Sequence, residues 1–193
     1  MTRHWTQRLL AGLAAGAVVL SGCSERQEAA DTLTESDATP SASEPQLPPL
    51  GPPDLPMPAE ARHQDAVGAE AFVRYYIDLI NRTSTVMDAA PLREFSDGCT
   101  ECNRIAADTE GDASAGHRYK GGQLTITWIE AFKPTNEAEV AFTADQAALQ
   151  VMDQTGTAVP GLNFPAYPKL SSGASIRWIE GKQTWIMTGL TLG

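Results

Sequence analysis

Cys99 and Cys102, three residues apart, are the groups whose types and spacing most directly imply chemistry. A redox dithiol at this spacing needs a positively polarised setting that favours the thiolate, within a strand–helix–strand context. Asp97 and Glu101 oppose a thiolate here, and no strand pattern precedes the pair. Outside a reducing compartment an even pair oxidises, so Cys99 and Cys102 are read as a structural disulfide pinning the turn between two helices. In the chain-entropy account a loop this short contributes about 2 kcal/mol.

Asp112, Ser114 and His117 supply the residue types of a hydrolase triad, but they crowd one glycine-containing stretch without a Gly-x-Ser-x-Gly elbow. Their grouping is read as coincidence. Zinc takes four protein ligands, or three and a water. Beyond the two cysteines only His63 and His117 are on offer, so neither a metal nor another cofactor is expected. Lys120-Gly121-Gly122 lacks the spacing of a phosphate loop and reads as a turn before a strand. Asp78 and Asp145 could serve as acid or base if a cavity enclosed them, although their pattern equally places them in water. Trp128, Phe142, Phe164, Tyr167, Trp178 and Trp185 could line a pocket for a small apolar ligand, the competing reading being ordinary core packing. Thr155 to Ser172 reads as a long apolar loop, either a contact surface or lid or a segment packed across the sheet.

The elements that position these groups follow an export signal. Arg3 and Arg8 precede an apolar run from Leu9 to Leu20, and Leu20-Ser21-Gly22-Cys23 resembles a lipobox. The uncharged stretch Leu9 to Gly22 is shorter than the roughly 20 residues a spanning helix needs. Residues 1–22 are therefore expected to be a cleaved signal peptide, with Cys23 carrying lipid chains, palmitate among them, that hold the protein on the outer face of the cell membrane. Removing Arg3 and Arg8 and no acid takes the formal net charge from −10 to −12. Clusters of Lys and Arg are absent, which argues against nucleic acid and against close adhesion to anionic phospholipid.

Residues 23–65 hold nine acids against Arg26 and Arg62, and eight of the 13 prolines lie between Pro40 and Pro58. With so few large apolar residues this stretch reads as a disordered, acidic, Pro-rich tether. Residues 66–193 then form one domain. Phe72, Tyr76, Leu79 and Ile80 recur at helical spacing and predict a long amphipathic helix from Val67 to Met87. A second helix follows Asp88 with Pro91 in its first turn, and a third covers Cys102 to Glu110. From Leu124 the period changes to two, with Leu124, Ile126 and Trp128 on one face, and a second strand carries Val140, Phe142 and Ala144 inward. Leu149 and Val151 have the opposite parity, which predicts an extra residue near Gln146 or Ala147. A tight turn at Gly181-Lys182 would place Trp178 opposite Trp185 and Ile176 opposite Met187.

This order predicts an α+β domain: three N-terminal helices packed on a curved antiparallel sheet of about four strands. Gly68-Ala69-Glu70-Ala71-Phe72-Val73-Arg74-Tyr75-Tyr76, with Ala90-Pro91-Leu92 and Cys99-Thr100-Glu101-Cys102, resembles a family of actinobacterial secreted lipoprotein domains of uncharacterised function. The layout is also similar to the cone-like nuclear transport factor and polyketide-cyclase superfamily, which implies a sheet bent around a cavity. Fold of that kind does not settle function, because enzymes, binding proteins and scaffolds share it. The expectation is a lipid-anchored extracytoplasmic module that binds an envelope protein or a small apolar ligand without catalysis. The alternative is a cyclase- or isomerase-like enzyme using a buried carboxylate in an aromatic cavity.

Overall fold

The computed structural model describes residues 47–193. The expected signal peptide, Cys23 and the first half of the tether lie outside the described residues. Among the described residues no helix is long and apolar enough to cross a membrane.

Among the described residues three α-helices precede all the strands. Asp65 caps α1 (Ala66–Val86), its carboxylate accepting the Gly68 N–H at 2.7 Å. The helix ends at Met87, whose φ of 59° is the left-handed conformation of a helix stop. Phe72, Val73, Tyr76, Leu79 and Ile80 form its buried stripe, as their spacing predicts. Helix α2 (Ala90–Glu94) is one turn with Pro91 near its start, and Asp88 accepts the Ala90 N–H at 3.1 Å. Helix α3 (Thr100–Ser114) is longer than Cys102–Glu110 at both ends.

Seven strands follow: β1 (Arg118–Gly121), β2 (Leu124–Phe132), β3 (Glu137–Gln146), β4 (Leu149–Met152), β5 (Ala158–Phe164), β6 (Tyr167–Ile179) and β7 (Thr184–Thr191). They make two antiparallel sheets, ordered β1-β4-β5 and β2-β3-β6-β7, where the sequence reading expects one sheet of about four strands. The same three lengths of chain run through both sheets in the same lateral order. Each breaks at a comparable level: at Gly122-Gln123, at Ala147-Ala148 and at Pro165-Ala166. The two sheets are thus wings separated by a crease, and they do not close into a cone. The irregularity predicted at Gln146 or Ala147 is this crease; the β3–β6 register already slips between Ala144 and Gln146.

Gly121 and Gly122 form the crease rather than a turn. At Gly121, with φ +79°, a Cβ would lie 2.0 Å from the Ala148 carbonyl oxygen, so no side chain fits. Asn81 of α1 grips the first residue of β2, just beyond the crease: the side-chain amide donates to the Leu124 C=O at 2.9 Å, and Oδ1 accepts the Leu124 N–H at 2.8 Å.

The β6–β7 register is as expected, with Trp178 opposite Trp185 and Ile176 opposite Met187. The two indoles meet edge to face at 5.3 Å between centroids. The connection is not a two-residue primed turn. A single 3-10 turn, Glu180–Lys182, leads to Gln183 at φ 46°. The stretch Thr155–Ser172 is not a loop either, since β5 and the first part of β6 lie within it.

The last part of the expected tether is packed on the domain as an arm. Met57 and Ala61 are buried in the core, with Leu50 and Leu55 packed against it. Arg62 donates to the carbonyls of Pro48 (2.6 Å), Lys182 (3.0 Å) and Gln183 (3.3 Å), tying the arm to the β6–β7 connection. The Trp185 indole N–H donates to the His63 carbonyl at 2.9 Å. Composition alone marks such a stretch as a spacer, whereas a few well-placed apolar residues are enough to hold it down. Met57→Ala is expected to lower unfolding free energy by about 2 kcal/mol in urea titration, the low end for a buried methionine. An unchanged midpoint would mean that the arm does not belong to the folded unit.

Candidate functional site

A cleft of about 660 Å³ opens between α3, the second half of α1 and the small sheet β1-β4-β5. Its apolar floor comes from Ile80 of α1 and from Leu124, Leu149 and Val151, which lie on either side of the crease. Its lip is formed by Leu162 and Phe164 of β5 and Tyr167 of β6, which are 37, 48 and 42% exposed. The opposite wall is α3. Glu101, Ile105, Asp108 and Asp112 follow one another at spacings of three and four, so a single helical stripe faces the cleft.

That wall is polar and internally paired. Arg104, also on it, gives Nε (2.9 Å) and Nη2 (2.5 Å) to Glu101 and Nη1 to Asp108 at 2.7 Å. The bidentate contact with Arg104 holds the Glu101 carboxyl below the usual glutamate range. Asp112 lies between two partners, His117 Nδ1 at 2.9 Å from Oδ1 and the Tyr119 hydroxyl donating to Oδ2 at 2.5 Å. Partial burial, then the hydrogen bond to Asp112, pushes the Tyr119 phenol up. Ser114 instead donates to the Glu110 carbonyl at 2.8 Å, so the residue types of a triad do not assemble into one.

The six aromatic residues expected to line a pocket separate into three groups. Phe164 and Tyr167 line the cleft. Phe142 and Trp185 are buried in the filled core, and Trp178 packs on Trp185, as the competing reading of core packing has it. Trp128 is 49% exposed and lines no part of the cleft. The cause is an extra residue, Thr127, between Ile126 and Trp128 in the β2–β3 ladder. It reverses the alternation, so that Ile129 and Ala131 pack on the core in place of Trp128.

Asp78 and Asp145 lie outside the cleft and are exposed. Partial desolvation raises the Asp78 carboxyl above its ordinary value, with the charge of Arg74 opposing. Asp145 accepts the Lys169 N–H at 2.8 Å. Cys99 and Cys102 are joined, with 5.3 Å between their Cα atoms, and both are 1% exposed, which withholds them from redox partners. Their place is the turn between α2 and α3, as expected. Among the described residues no group of three His, Cys, Asp or Glu side chains is arranged to hold a metal ion.

No family model matches the chain, and no curated relative does. Solved structures of similar layout exist. The intermembrane-space region of the chloroplast protein ARC6 is 16% identical, with a TM-score of 0.49 over 67% of this chain and 97% of that one. Aln2 from a Streptomyces species is 13% identical, with a TM-score of 0.38 over 76% and 93% of the two chains. A designed NTF2 chain is 10% identical, with a TM-score of 0.36 over 63% and 96%. All three scores are below 0.5, so the fold description rests on the strand pairing given above.

The wall has a pH signature. Because the folded-state pKa of Glu101 is lowered, its stabilising contribution is present above the ordinary glutamate value of about 4.3 and is lost as pH falls through the lowered value. Glu101→Gln is therefore expected to cost up to about 1 kcal/mol at pH 7, the range for a partly exposed ion pair. Urea denaturation at about pH 7 and at a series of falling pH values checks this, and a difference that nowhere shrinks as pH falls contradicts it.

Proposed function

We propose that the chain is a lipid-anchored extracytoplasmic binding module of the cell envelope whose cleft takes up an apolar ligand without catalysing a reaction. One observation carries the reading. Three large apolar side chains, Leu162, Phe164 and Tyr167, stand exposed along the lip of a cleft whose floor is also apolar. A concave site with an apolar lining and a few polar groups on one side is the usual form of a small-molecule site, and exposed apolar surface is seldom left without a use. The enzyme reading requires a carboxylate free to exchange a proton with the ligand. Asp78 and Asp145 are outside the cleft, and the three carboxylates that line it are held ionised by partners, Glu101 and Asp108 by Arg104 and Asp112 by His117 and Tyr119, which favours binding over catalysis.

Gly111 offers a clean test of the cleft, since it faces the cleft from α3 and a Cβ there meets nothing within 4 Å. The uncharged dye N-phenyl-1-naphthylamine should brighten with the wild-type chain, and Gly111→Trp, which plugs the cleft, should weaken that binding about tenfold or more. Equal brightening by the plugged variant would remove the cleft from consideration.

The anchor is tested separately. Cys23→Ser is expected to move the protein from the membrane to the soluble fraction, and retention of the variant in the membrane would overturn lipid attachment.

A further inference from the structure

The cleft's polar wall has a direction: it has acceptors to spare and few donors. Ser84 turns its hydroxyl to the Ile80 carbonyl (3.1 Å), Thr109 to the Ile105 carbonyl (2.9 Å) and Tyr119 to Asp112 (2.5 Å). Arg104, the one lining cation among the described residues, is matched twice over by Glu101 and Asp108. Gln146 lines the cleft too, but its amide donates and accepts alike and so selects neither. What the wall leaves over is carboxylate. Glu101, Asp108 and Asp112 set three negative charges against one positive, and Asp108 uses only Oδ2 towards Arg104.

An anionic amphiphile entering this cleft would set its own charge beside that surplus and would have to pull Arg104 away from two partners. An uncharged apolar molecule would meet the floor but leave the carboxylates unanswered. A cation answers them without displacing any bond already made. We infer that the ligand of the cleft is an organic cation with an apolar body: an ammonium or similar N–H donor set against Asp108 and Asp112 of α3, and a hydrocarbon portion on the floor beneath Phe164. This rests on the reading of the cleft as a binding site and adds the charge of what it binds. The apolar part supplies most of the affinity, and the charge supplies the choice between ligands.

Three probes that share one hydrocarbon chain isolate the charge: decylamine, decanol and decanoate, titrated calorimetrically into the full chain below their micelle concentrations. Decylamine should bind about fivefold more tightly than decanol, the size of a single partly exposed ion pair, and decanoate should bind more weakly than both. Asp108→Asn, a substitution at an exposed helical position, should weaken decylamine more than decanol and so reduce the preference for the amine, and Asp108→Asn with Asp112→Asn should remove it. Decanoate binding as tightly as decylamine, or an amine preference that is undiminished in the Asp108→Asn, Asp112→Asn double variant, overturns the inference while the apolar cleft stands. Failure of all three probes to bind overturns the cleft along with it. Loss of all binding in Gly111→Trp, with the ranking intact in the wild type, places the selectivity in this cleft, whereas the same ranking in Gly111→Trp places it elsewhere and overturns the inference.

Discussion

The bend between the two sheets depends on Asn81. Where β1 ends and β2 begins, the backbone leaves one ladder before entering the next, and the N–H and C=O of Leu124 would otherwise face a buried helix. The Asn81 amide answers both with one side chain, so the helix holds the strand at the point where the strand turns. A buried polar group left without a partner costs about 1 to 3 kcal/mol, which is why the helix and the crease cannot slide independently. Gly121 makes the approach of the strands possible and Asn81 fixes where it happens. Once the crease is fixed, the large sheet lies on the buried stripe of α1 and the small sheet swings towards α3, leaving the cleft in the angle between them.

A second constraint closes the opposite end of the core. Trp185 is fully buried, and its indole N–H finds an acceptor in His63, just after the arm's last turn, Ala59–Arg62. Thr184, also buried, donates to the Met57 sulfur at 3.1 Å. Without the arm the end of the β6–β7 hairpin would lose both partners and the cover of Ala61. The Arg82–Asp54 ion pair and the Tyr75 hydroxyl, which donates to the Leu55 carbonyl at 3.3 Å, extend the same seam along α1. Burial raises the Tyr75 phenol to about 12, so that end of the seam stays neutral across the physiological range. Under the proposed lipid anchor, residues 47–65 would belong to the folded unit and add nothing to the spacer.

What sequence reveals here is what local periodicity encodes. The α1 stripe and the alternation of Val140, Phe142 and Ala144 follow from a period of 3.6 or 2 and are as read, and the facing of Trp178 and Trp185 follows from where the chain reverses, although the turn itself has another form. Single insertions defeat the method: Thr127 turns Trp128 outward, and no residue type at that point signals it. β5 escapes for a different reason. Pro160, Gly161 and Pro165 mark the stretch as loop, yet an edge strand paired on one side only tolerates them, because proline lacks a donor that such an edge does not need. The cleft wall is hidden in plain sight: Glu101, Arg104, Asp108 and Asp112 recur at helical spacing, which is the pattern of any solvated helix face, and only the tertiary fold sets that face against the small sheet.

That stripe also explains why there is a cleft at all. Helix α3 carries a narrow buried seam of small residues, Cys102, Ala106 and Thr109, which packs inward, and a polar face turned towards β4 and β5. Had the residues facing the small sheet been leucines, hydrophobic burial would have drawn helix and sheet together and filled the space with side chains. Ion-paired carboxylates cannot be drawn in so cheaply, since removing such charges from water costs several kcal/mol per ion. The floor stays apolar, the wall stays hydrated, and α3 stands away from the small sheet. The arrangement that keeps the cleft from collapsing is therefore the same one that gives it a preference for positive charge.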